Sequence, residues 1–125
     1  MDRSKYILTA TAERNFYEAK MWSMKRWGRD LTRQYFKDIH RSANELADHH
    51  FSATEFTETV SDAEVLVWPV REHYLVYVPI RKGLIIIVAL IRQTRDVLSI
   101  VAANSFILRR ELKAAHQSIE KIRNK

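Results

Sequence analysis

Cysteine is absent from the 125 residues of this chain. That excludes a disulfide scaffold, a thiolate zinc site, an iron–sulfur cluster and a cysteine nucleophile. Glycine and proline are scarce, with two of each. There is consequently no glycine-rich phosphate loop and no Pro- or Ser-rich linker. Long apolar runs are missing as well: the longest, Leu84 to Ile91, has eight residues, against about 20 for a membrane-crossing helix. The opening Met1-Asp2-Arg3-Ser4 leads into no apolar stretch, so no signal peptide is read. A soluble cytoplasmic protein without membrane contact is expected. The five histidines (40, 49, 50, 73 and 116) never form His-x-x-x-His, so no metal and no cofactor are expected.

What is present is a globular composition, 46% apolar and 29% charged, of a size suited to one domain. The net charge of +6 is unevenly placed. Residues 1–63 carry ten basic and ten acidic side chains; residues 64–125 carry eleven and five. Seven of those eleven are arginine: Arg71, Arg81, Arg92, Arg95, Arg109, Arg110 and Arg123. The guanidinium fork suits phosphate and carboxylate, so an anionic partner is expected, either nucleic acid or an acidic protein segment. A modestly basic domain with no such partner explains the charge equally well.

Periodicity gives the element order. Tyr6-Ile7-Leu8-Thr9 reads as a short strand. Residues 11–27 read as a helix whose stripe is Ala12, Phe16, Ala19, Ser23 and Trp27, capped by Thr9 or Thr11 and ended by Gly28. Asp30 opens a second helix to about Asp48, with Leu31, Tyr35, Ile39, Ala43 and Leu46 inward, and the short link makes an antiparallel hairpin. Residues 49–63 show no period and read as a loop. Val65 to Trp68, His73 to Ile80 and Leu84 to Arg92 read as strands, the last covered on both faces, and the short links between them make the pairing antiparallel. Asp96 caps a final helical segment interrupted at Asn104-Ser105. Phe106, Leu108, Leu112, Ala115, Ile119 and Ile122 then line one side of a terminal helix. The class is α+β: a short N-terminal strand, an antiparallel helical hairpin packed on an antiparallel sheet of three further strands, and a C-terminal helix. Hairpin and sheet are expected to share a single hydrophobic interior.

Several segments in this order resemble the RelE/ParE superfamily of toxins from type II toxin–antitoxin systems. They are the strand Tyr6–Thr9 with its alanine-led helix, the Trp27-Gly28 break, and the helix with Tyr35, Ile39, Ala43, Leu46 and Ala47. To these are added Val70-Arg71-Glu72-His73-Tyr74-Leu75-Val76-Tyr77 and the ending Leu90-Ile91-Arg92-Gln93-Thr94-Arg95-Asp96-Val97. Arg92 stands where the family's terminal motif most often has His, and His49-His50-Phe51 replaces the usual Pro and Gly. On this resemblance residues 1–101 form the toxin domain and 102–125 a C-terminal helical extension of it.

The resemblance implies two activities. RelE-like members cleave mRNA on the ribosome by 2′-OH attack, which needs a base or electrostatic activator, cations for the phosphorane and a proton donor. Candidates for that work are Arg71, His73, Tyr77, Arg92 and Arg95. ParE-like members inhibit DNA gyrase by binding it and cleave nothing. The Arg95-Asp96 ending is the more ParE-like, and Val65-Leu66-Val67-Trp68 lacks the cations of an RNA-cleaving site. Gyrase inhibition is therefore preferred, with mRNA cleavage second and a non-toxic interaction protein third. The implied partners are a cognate antitoxin with an acidic tail, and gyrase or ribosome as target; homodimerisation stays open. Arg71, Arg81, Arg92, Arg95, Arg109 and Arg110 are the candidate partner-binding residues. Two bland readings stand beside these. His73 and Tyr77 read more readily as core or rim residues with satisfied hydrogen bonds, and Arg95-Asp96 equally well as a helix start.

Overall fold

The computed structural model describes residues 5–49, 57–60 and 63–123. The elements are β1 (Tyr6–Leu8), α1 (Ala10–Trp27), α2 (Arg29–His49), β2 (Thr57–Val60), β3 (Ala63–Val70), β4 (His73–Arg81), β5 (Leu84–Arg92), α3 (Val97–Ala103) and α4 (Ser105–Arg123). The sheet order is β1-β5-β4-β3-β2. β2 to β5 are antiparallel neighbours, and β1 pairs parallel to β5. The α+β class and the helical hairpin are therefore present as expected. The sheet has one strand more than the pattern indicated, because Thr57–Val60, read as loop, pairs with Ala63 to Leu66. His49 and Ala63, the ends of that stretch, belong to α2 and β3, and residues 50–56 and 61–62 lie outside the described residues.

Local chemistry explains the helix ends. The Thr9 hydroxyl accepts the Ala12 amide at 3.2 Å and caps α1, so the cap is Thr9 and not Thr11. Thr11 instead donates its amide and hydroxyl to Glu111 of α4, at 3.0 and 3.1 Å. Gly28 has φ 85° and donates its amide to Met24 O; a Cβ is disfavoured there, which is why glycine makes the break. Asp96 caps α3 by accepting from Ser99 N and Ser99 Oγ.

The interior is not single. One cluster fills the space between the hairpin and the sheet: Phe16, Tyr35, Ile39 and Leu46 meet Leu66, Leu75, Tyr77 and Ile87. A second lies on the opposite face, where Val65, Val76, Ile86 and Ile91 meet Val101, Leu108, Leu112 and Ile119. Each fully buried aliphatic side chain contributes about 2 kcal/mol, so the α4 row is a large part of what holds that helix to the sheet. β5 is buried on both faces, as its unbroken apolar run requires. Two expected core residues point outward: Leu31 is 61% exposed and Phe106 68%. Ile122 lies where no side chain is described.

A β-bulge sets the geometry of one end of the sheet. Val76 pairs with Ala89 and Tyr77 with Ile87, leaving Val88 unopposed. The alternation of β5 reverses there: Ile85 and Ile87 face the hairpin, and beyond the bulge Leu90 does. Side chains of α1 and its cap take over where β1 ends. Thr9 Oγ1 donates to Val88 O at 3.3 Å, and Asn15 Oδ1 accepts from Leu90 N at 3.1 Å.

Candidate functional site

The β3–β4 hairpin turns through Arg71 and Glu72, with Val70 paired to His73. Arg71 has φ 56°, a left-handed conformation costing a residue with a Cβ about 1 kcal/mol or more. Three contacts hold it there. Arg71 Nε donates to Asp38 Oδ2 of α2 at 2.8 Å, and its terminal amine donates to the same oxygen. Asp38 also accepts from Arg41 at 2.5 Å. Gln93, just past β5, donates its side-chain amide to Arg71 O and His73 O at 2.8 and 2.9 Å, and its backbone amide to Glu72 O at 2.9 Å. The hydrogen bond from Arg71 holds the Asp38 carboxyl below the usual range.

Inside this corner, Tyr35 and His73 are buried and hydrogen-bonded through Tyr35 Oη and His73 Nδ1. The Glu72 amide donates to the same phenol oxygen at 3.1 Å. Burial pushes His73 down to about 4, and the Arg92 charge acts in the same direction. At neutral pH it is an uncharged imidazole with its Nδ1 engaged by Tyr35. Tyr77, on the same face of β4, has no exposure, and burial pushes its phenol up to about 12. Both residues stand inside the protein, beneath the hairpin.

The cations remain outside. Arg92 lies against the Trp22 ring, 4.3 Å from its centroid, and Arg26 lies 5.1 Å from the same ring. Trp22 is thus neither pure packing nor an open stacking platform, since guanidinium groups lie against it. Arg92 and Arg95 are exposed and line a groove of about 480 Å³ between α1, the end of β5 and the α3–α4 junction. Arg14 and Asn104 line it too, with one acid, Glu18, while Leu90, Ile100 and Leu108 supply apolar wall. His73 lies at its inner edge. Such a groove is chemically suited to an anionic group carrying some apolar surface. Among the described residues no group of three His, Asp or Glu could hold a metal ion.

The six candidate partner-binding arginines do not form one patch. Arg71, Arg92 and Arg95 gather at this corner. Arg81 lies at the opposite end of β4, about 26 Å along the strand. Arg109 and Arg110 are on α4, where Arg110 lies over the Phe106 ring. Sequence reasoning missed Asp38, Gln93 and the Tyr35 hydroxyl. Tyr35 read only as core, and no spacing signals an ion pair spanning 33 residues.

No helix among the described residues is long and apolar enough to cross a membrane. No match is found among curated proteins. The family model described as the ParE toxin of type II toxin–antitoxin systems matches residues 6–97. That match spans β1 to the start of α3, including the whole hairpin corner, and the chain belongs to the ParE toxin family.

Proposed function

We propose that this toxin arrests growth by binding and inhibiting DNA gyrase, without cleaving a substrate, and that a cognate antitoxin neutralises it in the cytoplasm. The observation that carries the reading is the state of the groups that RNA cleavage would need. His73 is buried, neutral and engaged by Tyr35; Tyr77 is fully buried; Arg71 is ion-paired to Asp38. A site built for 2′-OH attack needs a base and an acid within reach of the substrate. Arg92 and Arg95, by contrast, are exposed beside an apolar-walled groove, which favours contact with an acidic protein surface. Residues 102–125 belong to the same domain in this reading, since α4 walls the groove and pins α1 through Glu111.

The test compares two targets with one protein. Purified toxin is expected to abolish supercoiling by gyrase and to leave mRNA intact in a translation extract. Arg92→Ala with Arg95→Ala is expected to weaken gyrase inhibition at least about tenfold while folding normally. Cleavage of mRNA with gyrase unaffected would replace this reading by the endonuclease. Expression without any growth arrest would leave a non-toxic interaction protein.

A further inference from the structure

The terminal helix α4 leaves a cationic row on its outer face. Leu108, Leu112, Ala115 and Ile119 turn that helix to the sheet. Phe106, Arg110, Lys113, Gln117 and Lys121 follow at helical steps on the opposite side, all exposed, with Arg109 beside them. Of the two acids in α4, Glu111 is turned to Thr11 of α1 and Glu120 is exposed. Arg109, Arg110, Lys113 and Lys121 take part in no ion pair among the described residues, whereas Arg41 and Arg71 are held by Asp38. At the N-terminal end of the row the Phe106 ring is 68% exposed, and the Arg110 guanidinium lies 5.9 Å from its centroid.

We propose that this face of α4 binds single-stranded nucleic acid, with phosphates on Arg109, Arg110, Lys113 and Lys121 and one base stacked on Phe106. A strand needs cations along its backbone and an aromatic or guanidinium plane for an unpaired base, and this row offers both. From Phe106 to Lys121 the helix rises about 22 Å, the length of about six nucleotides at about 3.4 Å each. A protein partner fits less well. Its interface requires a buried apolar centre, and the row has one large apolar side chain, Phe106, at its end. Ile107 turns into the arginine groove. The shallow groove further along α4 is lined by Ala114, Gln117, Ser118, Glu120 and Lys121, none of them aromatic or a branched aliphatic. A duplex keeps its bases stacked on one another and leaves Phe106 in water. The row lies beyond residues 6–97 of the family match, so it is this chain's own extension, and its binding is independent of the gyrase reading.

The test uses the full chain and fluorescence polarisation at low salt. The probes are fluorescein-labelled oligothymidylate and oligouridylate of about twelve nucleotides. Binding of either supports the proposal, and the tighter of the two identifies the strand as DNA or RNA. Four phosphate contacts give a slope of about −3 in log K against log salt, and Arg110→Glu with Lys113→Glu is expected to halve it and to weaken binding at least about tenfold. Phe106→Ala is expected to weaken binding about fivefold, and Phe106→Trp to retain it. These positions are exposed, and circular dichroism verifies that each variant is folded. Arg92→Ala with Arg95→Ala is expected to bind the probes as the parent does. Loss of binding in that variant, with the α4 variants unchanged, would overturn the proposal and put the strand in the arginine groove. No binding by the parent would sink it outright, as would tighter binding of duplex DNA that Phe106→Ala leaves unchanged. A poly-Glu peptide held through Arg110 and Lys113 more tightly than either strand would replace it by an acidic protein partner.

Discussion

His73 makes folding stability depend on pH in a calculable way. Its proton affinity falls from the ordinary 6.5 to about 4 on folding, through burial first and the Arg92 charge second, with Glu72 opposing. A depressed histidine stabilises the fold when neutral. That contribution is fully present above 6.5 and is lost as pH falls toward 4, because the unfolded chain takes up the proton first. At about 1.4 kcal/mol for each tenfold change in proton affinity, acidification from about pH 7.5 to 4.5 removes about 2.5 kcal/mol. Solvent at the groove edge screens this to about 2 kcal/mol. Urea unfolding of the parent and of His73→Leu, run across that range, measures it. The variant is expected to be less stable at pH 7.5 by about 1–3 kcal/mol, since the buried Tyr35 hydroxyl loses its His73 partner, yet to have a flatter pH curve. A residual slope from His40, also depressed by burial, remains in both proteins. Asp38 and Asp96, whose carboxyls are held low by hydrogen bonds, respond only as pH falls below about 3.8. Parallel curves for the two proteins would refute the assignment, and so would an imidazole resonance titrating near 6.5.

Asp38→Asn is expected to release Arg71 and Arg41 and to speed amide exchange at Glu72 and Gln93; unchanged exchange would show that the ion pair does not hold the turn. Gly83→Ala meets no atom within 4 Å, but φ is 88° there, so a loss of about 1 kcal/mol from backbone strain alone is expected in thermal unfolding. Glu111→Ala should cost about 1 kcal/mol and expose the Thr11 amide to exchange, an effect that NMR would detect and whose absence would separate α4 from α1.

The helices and the central strand were readable because burial imposes a period on them. Ala12, Phe16, Ala19 and Ser23 are buried at helical steps, as are Tyr35, Ile39, Ala43 and Leu46. Leu31 and Phe106 lie in the first turns of α2 and α4 and are exposed, while Thr32 and Leu108 in the same turns take the buried places. β2 was not readable. Thr57-Glu58-Thr59-Val60 is a short, polar edge strand, and edge strands with one neighbour need little apolar signal. The second core followed only partly: covering of both faces of β5 was legible, whereas its division into separate clusters depended on where α4 docks.

The corner was legible as a set of residues and illegible as a geometry, and the bulge at Val88 shows why. In strict alternation Arg92 would share a face with Ile86 and Val88, against α3 and α4. The unopposed residue reverses the pattern, so that Arg92 shares the side of Leu90 and meets Trp22 of α1. An apolar run such as Leu84–Ile91 carries no polar marker of where the reversal falls, so no pattern could locate it. The same limit applies to charge. Half-chain totals place an excess of +6 after residue 63, yet the strongest acidic contact to Arg71 comes from Asp38 in the balanced half. Arg92 and Arg95 are exposed at the groove, beside Arg14, and carry the corner's positive charge toward a partner. Their position is set by a backbone irregularity and a neighbouring carboxylate, and the count of arginines does not determine it.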